Sequence, residues 1–186
     1  MPLPKEGGKF VLSKMKKMEV QETIAFIGGA GKNCPVLMKR MAQGKLRLLF
    51  LYTEAQDDHA FVDQLRLEQD REAEIEVVDC VKSSCWEADI IAFVDPEAIE
   101  AEVLEKIKTV ATQKIVLLIH TEMAAETSAY SCKMEDIKKD LPYSKIVVVK
   151  VDSEKMTAQL SGLDKEALET VSLVLEKAGY VINNEQ

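Results

Sequence analysis

The chain has 186 residues, 47% of them hydrophobic and 30% charged, with a formal net charge of -8 and a pI ≈ 5.0. That length and apolar content suffice for one domain with a full α/β core and exclude a largely disordered chain. The acidic balance, offset by nothing more than the short cluster Lys14, Lys16 and Lys17, argues against nucleic acid or an anionic membrane surface as partner.

Residues 1–20, with Pro2, Pro4, Gly7 and Gly8 and no apolar signal-peptide core, read as a flexible leader ahead of a single domain over 21–186. The domain opens with Ile24-Ala25-Phe26-Ile27-Gly28-Gly29-Ala30-Gly31-Lys32-Asn33-Cys34, an apolar strand that empties into a glycine-rich turn before helix-forming sequence. Such a strand, turn and helix begin a dinucleotide-binding βαβ unit. Gly29 makes the tight turn, and Gly31, without a Cβ, lets backbone N–H groups approach a pyrophosphate. Cys34 stands in the third place of G-x-G-x-x-G, where Gly or Ala is usual. The candidate cofactor contacts are therefore Gly28, Gly29, Ala30, Gly31, Lys32, Asn33 and Cys34.

Pro35 suits the first turn of a helix running to Gln43, and Gly44 marks its stop. Leu46 to Tyr52 is a second strand of the buried parallel kind. It ends in Thr53-Glu54, with the carboxylate at about the expected spacing from Gly29 for accepting from a ribose hydroxyl. Phe61, Val62 and Leu65 share one face of a helix before a third strand, Ile75 to Val78. A short segment through Cys85 and Trp86 leads to the fourth strand, Asp89 to Val94. Asp95-Pro96 is expected to cap the next helix, with Pro96 at its first position. If Asp95 instead faces the crevice, Val94 and Asp95 lie beside the pyrophosphate. Ile99, Val103, Leu104, Ile107 and Val110 form that helix's apolar stripe.

The fifth strand, Lys114 to Ile119, ends beside His120, the one candidate for proton transfer to a substrate. A helix is expected near Cys132 to Leu141, then a sixth strand from Lys145 to Val149 and a short one near Ala158 to Leu160. Asp164 caps, and Gly179 stops, a helix from Lys165 to Ala178, and Tyr180 to Ile182 adds an edge strand. Strands alternating with helices throughout predict an α/β fold with a doubly wound, mainly parallel sheet.

The cysteines Cys34, Cys80, Cys85 and Cys132 show no zinc-ribbon or C-x-x-C spacing, which suits a reducing, cytoplasmic setting. The two histidines, His59 and His120, give no metal-site pattern, and no apolar run reaches the about 20 residues of a membrane span.

With these residues in view, the chain resembles the compact NADP oxidoreductases that reduce a deazaflavin coenzyme. More loosely it resembles the nucleotide-binding domains of pyrroline-carboxylate reductases and related ferric reductases. The likeness rests on Ile24 to Gly31, Glu87 to Val94, Lys114 to Val116, Leu141 to Val148, and Ser161-Gly162 before the last helix. It implies a Rossmann-like three-layer αβα domain that binds NAD or NADP, transfers a hydride to a deazaflavin, flavin or small-molecule acceptor, and pairs as a homodimer. Where the family has Ser or Thr followed by Arg for the adenosine 2′-phosphate, this chain has Thr53-Glu54, which favours NAD. Where the relatives have a Phe-Asn-Thr-like segment, it has Lys150-Val151-Asp152, and their C-terminal helical region does not follow Gln186.

Two further readings stay open. One is a non-catalytic dinucleotide-binding or protein-interaction module with a degenerate site. The other is a redox-responsive thiol protein using Cys34, whose place at a helix N-terminus is expected to lower its pKa.

Overall fold

The computed structural model describes residues 21–51, 58–95, 99–121 and 135–183. Strands β1 (Glu22–Ile27), β2 (Leu46–Leu51), β3 (Glu74–Val78), β4 (Ile90–Phe93), β5 (Ile115–Thr121) and β6 (Lys145–Asp152) run parallel. With β7 (Thr157–Gly162) and β8 (Val181–Asn183) they form one eight-stranded sheet in the order β3-β2-β1-β4-β5-β6-β7-β8. β7 is antiparallel to β6, and β8 runs parallel to β7. The helices are α1 (Ala30–Asn33), α2 (Pro35–Ala42), α3 (His59–Leu67), α4 (Val81–Glu87), α5 (Ala101–Ile107), a helical stretch over 135–140 (α6) and α7 (Lys165–Lys177).

Strand alternation divides the core into two layers, as a sheet covered on both faces requires. Ile24, Phe26, Leu48, Phe50, Ala92 and Ile119 face α2, α3 and α7 through Leu37, Met41, Val62, Leu65, Val171 and Leu175. Ala25, Leu49, Ile91, Phe93, Val116 and Leu118 face α4, α5 and α6 through Cys85, Leu104, Ile107 and Ile137. Phe26 and Phe50 are register partners on β1 and β2, and their rings stack with centroids 5.3 Å apart. This is the doubly wound, three-layer α/β arrangement expected from the sequence.

The chain winds outward from β1 through β2 to β3, then crosses back to set β4 on β1's other side. That reversal lies at the carboxyl ends of β1 and β4, the position at which sheets of this kind bind ligands.

Several local expectations hold for the reasons given. Pro35 occupies the first turn of α2. Asp164 Oδ1 accepts the Ala167 amide at 2.8 Å and caps α7. At the far end of α7 Gly179 takes φ 88, while its N–H donates to the Glu176 carbonyl and that of Tyr180 to the Leu175 carbonyl. This is the left-handed close that favours glycine.

Other elements differ. α5 begins at Ala101, with Glu100 flanking it; the expected cap at Asp95-Pro96 falls partly outside the described residues. Ile99 is non-helical and packs on the second core layer. The segment through Cys85 and Trp86 is the helix α4, braced by an i to i−4 side-chain bond in its first turn and from outside by Lys114 at its last. Ser84 Oγ donates to the Cys80 carbonyl at 2.9 Å, and Lys114 Nζ donates to the carbonyls of Cys85, Trp86 and Ala88 at the C-terminal end. β6 and β7 run longer than predicted because they pair with each other as a hairpin from Val147–Gly162 to Asp152–Thr157. The sequence expectations on the leader over 1–20, on Tyr52, on Pro96 and on Cys132 lie outside the described residues.

Candidate functional site

The turn after β1 is built on two consecutive left-handed glycines, Gly28 at φ 111 and Gly29 at φ 61. A side chain at either would be strained, because L-residues rarely adopt these angles. Gly28 also lies against main chain: a Cβ there would stand 3.2 Å from the Asp95 amide nitrogen and 3.6 Å from that of Val94. The Val94 amide donates to the Ile27 carbonyl at 2.9 Å, and Asn33 Nδ2 donates to the Gly28 carbonyl at 3.1 Å. The ends of β1 and β4 therefore meet backbone to backbone, with Asn33 bracing the loop. This brings Gly28, Gly29, Asn33, Val94 and Asp95 together as the sequence grouped them. Gly29 and Ala30 are buried, whereas Lys32 is exposed.

The helix beyond the turn is not continuous. α1 is a single turn, and Cys34 at φ -144 and ψ 54 separates it from α2. Cys34 flanks α2, as expected, but makes no side-chain cap. Its thiol is buried among the first core layer, which pushes its pKa up to about 12, and the nearby Asp58 carboxylate acts in the same direction. The expectation of a lowered thiol pKa is therefore overturned: desolvation of a buried thiolate outweighs any help from a short helix end.

At Gly31 the geometry departs from an open phosphate cradle. Its N–H donates to Asp58 Oδ1 at 3.0 Å. A Cβ on it would fall 2.5 Å from Cγ of Phe61 and 2.7 Å from Cβ of the same residue. The missing side chain of Gly31 accommodates α3, not open space. Asp58 and Phe61 were not singled out as site residues by sequence reasoning. Nothing in the spacing of Asp58 pointed to a partner on another element.

His120 is the penultimate residue of β5 and 6% exposed, on the face alternating with Ile119 and so on the α4 and α5 side of the sheet. Thr53 and Glu54 lie outside the described residues. A cavity of about 650 Å³ lies elsewhere, between β7 and α7, lined by Leu160, Leu168, Ser172, Leu173 and Glu176. None of the turn's residues lines it. Among the described residues no three of His, Cys, Asp and Glu come together as metal ligands, and no helix is long and apolar enough to cross a membrane.

No family model matches the chain, and no curated protein matches its sequence. Solved structures do share its fold. Pyrroline carboxylate reductase from Plasmodium falciparum, determined with NADP bound, superposes with a TM-score of 0.60 at 13% identity, over 91% of this chain and 59% of that one. The N-terminal domain of HmdIII from Methanocaldococcus jannaschii gives 0.59 at 9% identity, over 89% of this chain and 99% of that domain. Prephenate dehydrogenase from A. aeolicus, in complex with hydroxyphenyl propionate and NAD+, gives 0.58 at 13% identity, over 92% and 62%. The chain thus spans about three fifths of the two complete enzymes and nearly all of the isolated domain. At these identities the likeness shows the Rossmann-type fold.

Proposed function

We propose that residues 21–186 are a nicotinamide-dinucleotide-binding domain of an NAD(P)-dependent oxidoreductase, acting on a deazaflavin, flavin or small-molecule acceptor. The observation that carries this reading is the close main-chain approach of Gly28 to Val94 and Asp95, beside left-handed Gly29, at the reversal of strand order. Bare backbone at that point is what a diphosphate bridge requires.

A bound dinucleotide would supply a hydride; the chain's part is to bind and orient it. Gly28, Gly29, Ala30, Gly31, Lys32, Asn33 and Cys34 form the turn around the diphosphate, with Val94 and Asp95 opposite. Holding the cofactor in geometry suffices for hydride transfer without a protein acid or base. Thr53 and Glu54 are assigned to the adenosine ribose, which favours NAD over NADP, and His120 is the candidate proton donor. Residence in the cytoplasm, pairing as a homodimer and a leader segment over 1–20 ahead of the domain belong to the same proposal.

A second reading, a non-catalytic dinucleotide-binding or protein-interaction module with a degenerate site, is favoured by the Asp58 contact to Gly31 and the break at Cys34. Titrating the full chain with NADH and NADPH by nucleotide fluorescence, then offering deazaflavin, flavin and ferric acceptors, separates the two. Binding with turnover supports the oxidoreductase, and binding without turnover supports the module. No binding of either nucleotide removes both nucleotide readings.

A further inference from the structure

The first turn of α3 meets the glycine turn with two side chains at once. Asp58 flanks α3 and is chemically suited to cap it, yet it makes no side-chain cap there. Its carboxylate reaches to another element and accepts the Gly31 N–H. Phe61, three positions on and so on the same side of the helix, lays its ring where a Cβ of Gly31 would stand. A carboxylate is an anion with acceptor oxygens, the same chemistry as a phosphate oxygen, and one amide hydrogen cannot serve both well.

We propose that Asp58 is an affinity-determining residue of the nucleotide site: its carboxylate occupies the phosphate position at Gly31, and a diphosphate binds by displacing it. This rests on the dinucleotide-binding reading above. Two consequences have opposite signs. The contact ties α3 to the turn in the free protein and so adds stability. It also opposes the diphosphate, by holding the donor and by placing like charge beside the ligand. Ligands with a diphosphate are disfavoured relative to those without one.

The test compares the full chain with its Asp58→Ala and Asp58→Asn variants, using ADP, NADH and adenosine as probes in calorimetry. Circular dichroism establishes that each variant is folded. Since Asp58 does not cap α3, neither change removes the cap of its own helix, and the near-isosteric Asn variant decides the matter if Ala fails to fold. The expected result is binding of ADP and NADH tighter by about tenfold in Asp58→Ala, the scale of one lost charge-assisted contact. Adenosine affinity should stay unchanged, and the melting temperature of the free variant should fall. Unchanged or weaker ADP binding by folded variants, with the parent chain binding nucleotide, overturns the role of Asp58 and leaves the dinucleotide reading standing. No binding of any probe by parent or variants overturns the dinucleotide reading, and the proposal with it.

Discussion

Gly31 and Phe61 are packed so closely that the glycine's missing Cβ is part of the α1 to α3 contact: the added atom would lie 2.5 Å from the ring's Cγ. The clash involves the base of the Phe61 side chain, which cannot swing away without moving α3. Gly31→Ala is therefore expected to destabilise the fold by about 1–3 kcal/mol, the usual range for overpacking. In a Phe61→Ala background the same change should cost less, with a coupling of at least about 0.5 kcal/mol in a denaturant double-mutant cycle. Strict additivity would show that the two side chains do not meet.

Cysteine labelling should follow burial. Cys80 is exposed, whereas Cys34 and Cys85 are buried, and burial pushes both buried thiols up to about 12. At neutral pH iodoacetamide is expected to modify Cys80 well before Cys34 or Cys85, with peptide mass spectrometry resolving the sites. Rapid labelling of Cys34 in the folded chain would contradict its burial.

The same shifts set an alkaline limit. A thiol whose folded pKa lies above its unfolded value near 9.0 binds its proton more tightly when folded. Its contribution is complete below pH 9.0 and is lost as pH rises toward about 12. Tyr180, raised mainly by burial, adds the same sign. Lys114, lowered by burial, opposes it in the window below its ordinary 10.5. Denaturant midpoints should fall above about pH 9, and the fall should be shallower in a folded Cys34→Ala, Cys85→Ala double variant.

Lys114 serves three carbonyls at the end of α4, so Lys114→Met leaves those acceptors to water or to none. A loss of about 1–3 kcal/mol is expected. Trp86, the chain's single tryptophan, is 70% exposed at this helix end and reports the change directly. Its fluorescence anisotropy should fall in the variant if the last turn of α4 frays, and hold if the ammonium is dispensable.

Arg47 links three elements: Nε and Nη2 grip the two Glu76 oxygens at 3.0 and 3.2 Å, and Nη1 meets Glu87 at 2.9 Å. These side chains are partly exposed, so solvent screening limits the network to about 1 kcal/mol. Arg47→Met should lose that much, and Arg47→Lys should not restore it, because an ammonium lacks the two-pronged geometry. The hydrogen bond from Arg47 holds the Glu76 carboxyl below its usual 4.5. This contribution is therefore present above pH 4.5 and lost as pH falls through the lowered value. The Met variant should show a weaker acid dependence in that window.

Most of the sheet was legible because buried parallel strands announce themselves as continuous apolar runs: β2, β4 and β5 begin at Leu46, Ile90 and Ile115, against expected starts at Leu46, Asp89 and Lys114. The caps at Pro35, Asp164 and Gly179 were legible because their chemistry is local. α4 was not, since the lysine that braces its C-terminal end, Lys114, lies 28 residues from the Trp86 carbonyl it meets. At the site, Gly28 and Gly29 declared their turn through residue type alone. The Gly31 contact with Asp58 was hidden because a sequence shows that an aspartate can cap, and not which helix receives it. Cys34 misled for a related reason: proximity to a helix end is visible in one dimension, while burial is a property of three.

The backward crossing to β4 has a consequence for assembly. β1, β2 and β3 are neighbours in both chain and space, so their pairing needs modest loop closure. β4 must return past them to meet β1, and Val94 must find Ile27 across more than half a hundred residues, about 67 by position. The wall of Gly28 against Asp95 is thus expected to be completed late, along a seam between two cooperative units of the chain. Amide exchange at Val94 should then report the joining of these halves and outpace exchange at Leu48 and Phe50, which sit wholly within the earlier one.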